Sequence, residues 1–194
     1  MRSRGLSFLK TLVKIGSGIV LFLMILVFLF FFFFSGWESL LTGTDQELKR
    51  ELGVDISGYT EMTESDNHGD FHGDGELLYT VYYNAGPAAE LEEKLEVLAG
   101  KETSGWKKLP MTEVLQAAAY GIKEETRRVG PYVTLDGQQA LPEVAEGYYY
   151  FRDRHSQAED ERDDSQLLQR HSFNYTLAVY DAENNVLYYY EGDT

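Results

Sequence analysis

The sequence predicts an α+β fold: an N-terminal single transmembrane helix followed by one small domain, an antiparallel sheet with two helices on one face. Three observations point there. Residues 15–34 form an unbroken apolar run. Two later segments, 88–98 and 113–120, repeat apolar residues at helical spacing. Tyrosine- and valine-rich runs of strand length gather toward the C-terminus, separated by turn residues. Helices and strands that occur in blocks rather than strict alternation favour α+β over a parallel sheet.

Ile15 to Phe34 carries no charge. At about 1.5 Å per residue it spans roughly 30 Å as a helix, the thickness of a bilayer's hydrocarbon core. Arg2, Arg4, Lys10 and Lys14 precede it, with no acidic residue. Basic flanks stay in the cytoplasm, so residues 1–14 are expected inside the cell and everything beyond Trp37 outside. The protein is thus expected in the cell membrane as a single-pass signal anchor, with the lipid bilayer as partner of residues 15–34. A cleaved signal peptide competes, but its apolar core is normally about 7–15 residues and ends in an A-x-A-like site. This run is longer and ends in Phe-Phe-Phe-Ser-Gly-Trp. It holds no intramembrane charge, and its only closely spaced small residues are at its inner end, which suits a tether rather than a transporter.

Residues 35–53 form a juxtamembrane segment. Thr44-Asp45-Gln46-Glu47 reads as a capping box and Gly53 as a stop, giving a short helix over 45–52. The extracytoplasmic domain follows at 54–194. Val54-Asp55-Ile56 reads as a short strand, 63–75 as a polar Gly-rich loop and Glu76–Tyr83 as a strand. Pro87 opens a helix whose Ala88, Leu91, Leu95 and Leu98 recur at helical spacing until Gly100. Residues 105–110 connect to a second helix, 113–120, capped by Thr112. Trp106, in that connection, is expected to pack between the first long helix and the sheet. Strands are expected at 132–135, ending in the turn pair Asp136-Gly137, and at 147–151. The acidic stretch 154–167 reads as a mobile loop. Residues 173–180 and 186–190 read as a closing hairpin. The tyrosine clusters 148–150 and 188–190 fit strand faces.

All 32 acidic residues follow the anchor, while 4 of the 17 basic ones precede it, which leaves −19 on the exported part. That excess argues against nucleic acid and against adhesion to anionic lipid; it suits a soluble domain or one that meets a basic partner. The chain has no cysteine. Disulfides, thiolate metal sites and cysteine nucleophiles are excluded. Asn174-Tyr175-Thr176 matches a glycosylation sequon but lies in an expected strand, and reads as chance.

One segment has the composition for chemistry. Asp66, His68, Asp70, His72, Asp74 and Glu76 place a carboxylate or imidazole at every second position. In an extended chain all six point to one side. Imidazole with carboxylate suits a divalent metal such as zinc or manganese, with Asp66, His68, His72 and Asp74 as candidate ligands. Glycines 69, 73 and 75 allow a backbone to curl around an ion. An EF-hand fails, because its closing glutamate falls on Val81. The alternative is a tight turn in which Asp and His side chains cap backbone amides. His155 and His171 lie beside the acidic loop and complete a site only if the chain folds back.

The combination of D-x-H-G-x-F-H-G-D-G (Asp66, His68, Gly69, Phe71, His72, Gly73, Asp74, Gly75), a short acidic helix, Trp106 with Leu109-Pro110, and a terminal L-Y-Y-Y-E-x-D-T resembles a family of uncharacterised membrane-anchored or secreted proteins of Gram-positive bacteria. The resemblance covers roughly residues 54–194 and implies no activity. Where the family carries a second glycine, this chain has Asp70. No catalytic residue is expected. The leading expectation is a non-enzymatic, surface-displayed domain of unspecified role, either an interaction domain, for which a protein is the candidate partner, or an envelope-associated one. The alternatives are a divalent-metal-binding domain or hydrolase built on residues 66–76, and an immunity-type protein that neutralises a basic partner.

Overall fold

The computed structural model describes Met24 and residues 43–69, 74–123 and 128–194. The expected anchor at 15–34 lies, but for Met24, outside the described residues. Among the described residues no helix is long and apolar enough to cross a membrane. The chain divides into two compact units, Met1–Leu48 and Lys49–Thr194, and the sheet belongs to the second.

Helix α1 is Thr44–Leu52. Its first turn is closed by the Gly43 carbonyl, which accepts from Gln46 N at 2.8 Å, so the cap sits one residue before Thr44. Gly53 ends it at φ +64°. The strand expected at 54–56 does not form. Val54 and Ile56 are buried, but Asp55 between them accepts from Ser57 N and Lys49 Nζ. A side chain that captures the local backbone offers an alternative to strand pairing.

Six strands make one antiparallel sheet: β1 (Glu61–Asp66), β2 (Gly75–Tyr82), β3 (Trp106–Lys108), β8 (Gly147–Asp153), β9 (Asn174–Asp181) and β10 (Val186–Asp193). Their order is β1-β2-β10-β9-β8-β3. Both edge strands lie where loops were expected. Glu61–Asp66 is exposed on both faces apart from half-buried Met62, so nothing selects the apolar alternation that marks a strand. Residues 63–66 of the expected polar loop therefore belong to β1. Two-residue strands form separate hairpins: β4 (Ile122–Lys123) with β5 (Arg128–Val129), and β6 (Thr134–Leu135) with β7 (Gln138–Gln139). The latter turns at the expected pair, Asp136 and Gly137, both of which take positive φ, but its strand is shorter than 132–135.

Helix α2 is Ala85–Ala99 and α3 is Glu113–Tyr120. Thr112 caps α3 by accepting from Leu115 N at 3.2 Å. The two helices lie on opposite faces of the sheet, which corrects the expectation of one face. Register places Tyr149, Phe151, Leu177, Val179 and Tyr190 on one side, where they pack with Leu115, Ala118 and Ala119 of α3. Tyr148, Tyr150, Ala178 and Tyr180 face the other way, and the Tyr180 hydroxyl donates to the Ala88 carbonyl of α2 at 3.2 Å. The reason is in the strands. β8 and β9 are apolar at odd and even positions alike, so both faces need cover.

The acidic stretch 154–167 is fastened rather than loose. Asp153 N donates to the Glu161 carbonyl at 2.6 Å, and Arg152 Nε donates to Glu161 Oε2 at 2.8 Å. Asp164 is buried and accepts from the Thr112 hydroxyl. Leu167 enters the core at the start of a 3-10 turn, Leu167–Gln169.

Candidate functional site

The segment singled out by composition begins at the end of β1. There the chain folds back instead of running on extended. Asn67 N donates to the Glu76 carbonyl at 3.0 Å, and Glu76 N donates to Asn67 Oδ1 at 2.6 Å. This register sets Glu76 opposite Asn67, and cross-strand partners share a face, so the every-second-residue face is broken between the two arms. Asp66 and His68 therefore share one side, while Glu76 is turned to the other. Glu76 accepts from the Thr134 hydroxyl, from Asp136 N at 3.2 Å and from Asn67 Nδ2 at 3.0 Å. The expectation that all six side chains point one way is corrected.

Asp66 and His68 meet closely. Asp66 Oδ1 accepts from His68 N at 2.8 Å and lies 2.7 Å from His68 Nδ1. The backbone amide first, and then the imidazole, hold the Asp66 carboxyl below the usual carboxylate range. His68 Nε2 faces Asp193 Oδ2 at 3.5 Å. Asp193 Oδ1 in turn accepts from Arg154 Nη2 at 2.9 Å, and Glu191 Oε2 lies 3.7 Å from the same nitrogen. The Tyr189 hydroxyl donates to Glu191 Oε1. Burial first, then the Glu191 charge, pushes the Tyr189 hydroxyl far up. Carboxylates alternate with cations and donors along this chain of contacts, from β1 across β10 to the residue after β8.

Of the four candidate metal ligands, Asp66 and His68 come together. Asp74 is exposed and makes no polar contact with either among the described residues. His72 lies outside the described residues, as do Asp70, Phe71 and Gly73. Among the described residues no group of three His, Cys, Asp or Glu side chains is arranged to hold a metal ion. His155 is used locally: Nδ1 accepts from Gln157 N and Nε2 lies 3.1 Å from Ser172 Oγ.

Sequence reasoning missed Asp193, Glu191 and Arg154. Asp193 pairs with Gly75 across β10 and β2. Extending the two expected strands by a few residues at this end would have set Asp193 opposite the loop. Arg154 arrives only through the β8–β9 register, which composition does not reveal.

A cleft of about 830 Å³ lies between the start of α3 and residues 143–145. Leu109, Met111 and Val144 give it apolar walls, and Glu113 and Glu143 line it as well. Its other titratable group is Tyr120, whose hydroxyl is pushed up chiefly by burial. The cleft thus presents two carboxylates and one phenol among the described residues.

Comparisons of the chain with family models, with curated proteins and with solved structures return no match.

Proposed function

We propose that the chain displays a non-enzymatic interaction domain on the outer side of a cell membrane, tethered by residues 15–34. The tether is supported by the uncharged run and its basic N-terminal flank. The interaction role is carried by a contrast within one sheet. Several groups with chemical capability among the described residues are bonded to one another: His68 lies between Asp66 and Asp193, Asp153 is paired with Arg170, and Asp164 takes the Thr112 hydroxyl. The outer strand β1 is instead left bare on both faces.

The absence of native cysteine makes the location testable. A Glu159→Cys variant in intact cells should react with a membrane-impermeant maleimide, whereas Ser3→Cys should react only after permeabilisation. Protection of Glu159→Cys in cells stripped of their wall would refute the display.

A second proposal is a divalent-metal-binding domain, or a hydrolase using that metal. It is favoured by the convergence of Asp66, His68 and Asp193. Arg154, already bonded to Asp193, opposes a further cation there. An immunity-type role against a basic partner rests on net charge alone.

A further inference from the structure

We propose that β1 is the docking site, and that it takes a basic, extended segment of a partner protein as a seventh strand. This rests on the display of an interaction domain proposed above. β1 is the outermost strand of the sheet, and among the described residues β2 is its one neighbour. Its regular pairing with β2 runs over six residues without a bulge or a proline, so the outer edge is straight enough to template another chain.

The pairing pattern fixes which backbone groups are offered. Asn67 N bonds the Glu76 carbonyl, and Asn67 follows Asp66, which pairs with Leu77. In an antiparallel ladder, bonded residues alternate. Thr63 and Ser65 therefore bond β2, whereas Met62, Glu64 and Asp66 direct their N–H and C=O groups outward.

The charge at this edge selects the partner. β1 and β2 carry Glu61, Glu64, Asp66 and Glu76, and no lysine or arginine. Asp66 and Glu76 are engaged by His68 and Thr134. Glu61 and Glu64 have no partner among the described residues, and pairing register puts them on opposite faces of the sheet. An added strand with lysines or arginines on both of its faces would meet one carboxylate on each. A second copy of this chain would bring its own Glu61 and Glu64 to the same edge, and like charges directly opposite are destabilising.

The test uses the full chain in a non-ionic detergent and a fluorescent peptide, Lys-Thr-Lys-Val-Thr-Lys-Val-Lys, read by anisotropy. Binding should weaken with salt, and the peptide with glutamate in place of lysine should not bind. Glu64→Gln and Glu64→Pro both remove the charge, but only proline removes the outward N–H, on an edge that tolerates it. The glutamine variant should lose about threefold in affinity, the scale of one exposed ion pair. The proline variant should lose binding altogether while keeping the circular dichroism of the wild type. If the proline variant fails to fold, the same peptide N-methylated at alternate residues serves instead, and it should not bind. Equal binding by both Glu64 variants, equal binding by the N-methylated peptide, or no binding at about 1 mM peptide would overturn the proposal. So would a dimer of the wild type that Glu64→Pro dissolves, because a second copy would then be the occupant. Surface labelling of Glu159→Cys is independent of all these outcomes. A peptide that fails to bind a correctly displayed domain rejects the edge and leaves the display standing.

Discussion

The Trp106 indole Nε1 donates to the main-chain carbonyl of Leu52 at 2.8 Å. This joins the C-terminal turn of α1 to the far edge of the sheet. The last carbonyls of a helix have no partner within it, so the indole satisfies an acceptor that burial would otherwise leave orphaned. Trp106 is 1 % exposed, and its ring lies 5.6 Å from that of Tyr150.

Two variants separate the two roles of this side chain. Trp106→Ala removes the ring and the donor together and should cost about 3–5 kcal/mol in a denaturant titration. Trp106→Phe keeps most of the apolar volume but strands the Leu52 carbonyl, and should cost about 1–3 kcal/mol. A Trp106→Phe variant as stable as the wild type would show that water or another group reaches that carbonyl.

The legibility of the fold divides along physical lines. Thr112 and Gly53 were readable because capping is a local matter, decided within four residues. Ala88, Leu91 and Leu95 were readable because a helix repeats its buried face at fixed spacing. Glu61–Asp66 and Trp106–Lys108 were not, because an edge strand is specified by its neighbour rather than by its own pattern. The two-sided cover of the sheet was in fact written in Tyr148–Phe151 and Tyr175–Tyr180, whose unbroken apolar character lacks a solvent face. At the candidate site, the Asp66–His68 contact follows from a two-residue spacing. Asp193 and Arg154 lie far from Asp66 in the sequence and reach it through register between strands, which no local signal reveals.

Asp153 is fully buried and bonded to Arg170, with His155 N donating to the same carboxylate at 3.0 Å. Removing the guanidinium leaves a charge without compensation in a low-dielectric site. Arg170→Met should therefore cost about 3–5 kcal/mol, and a second change, Asp153→Leu, should restore part of that loss. A double-mutant cycle on thermal or urea unfolding checks it. A single variant of wild-type stability would mean that the acidic segment can reorganise around Asp153.

Exposed carboxylates with lowered pKa contribute to the acid limb of stability. Asp55 is held well below the usual range by Lys49 and then by Ser57, and Asp66 by the His68 amide and ring. A folded value below the unfolded one means that the unfolded chain binds more protons as pH falls. The contribution is complete above about pH 4 and is lost on descending through the folded values. The urea midpoint should drop below about pH 4, and more shallowly in an Asp55→Asn, Asp66→Asn double variant. Both side chains are well exposed, so the difference is small and needs matched titrations. An equally steep drop in the double variant would assign the acid limb to other carboxylates.

The loop after β1 offers a choice between turn and metal site, and Gly75 separates them. A Cβ at Gly75 would come within 2.6 Å of His68 Cα and 2.7 Å of two His68 ring carbons. Glycine is needed there for close approach, since the backbone at Gly75 does not adopt positive φ. Gly75→Ala should push His68 from the Asp66 and Asp193 carboxylates and cost about 1–3 kcal/mol. Zinc or manganese should leave the melting temperature unchanged, because Asp66 is already spent on His68 and Asp193 on Arg154. A metal bound by the folded state alone would raise it by mass action. Calorimetric titration of the chain without a histidine tag is the measurement. A melting temperature that rises with metal in the wild type, and not in a His68→Ala, His72→Ala variant, would restore the metal site and assign the glycines to an ion rather than to a turn.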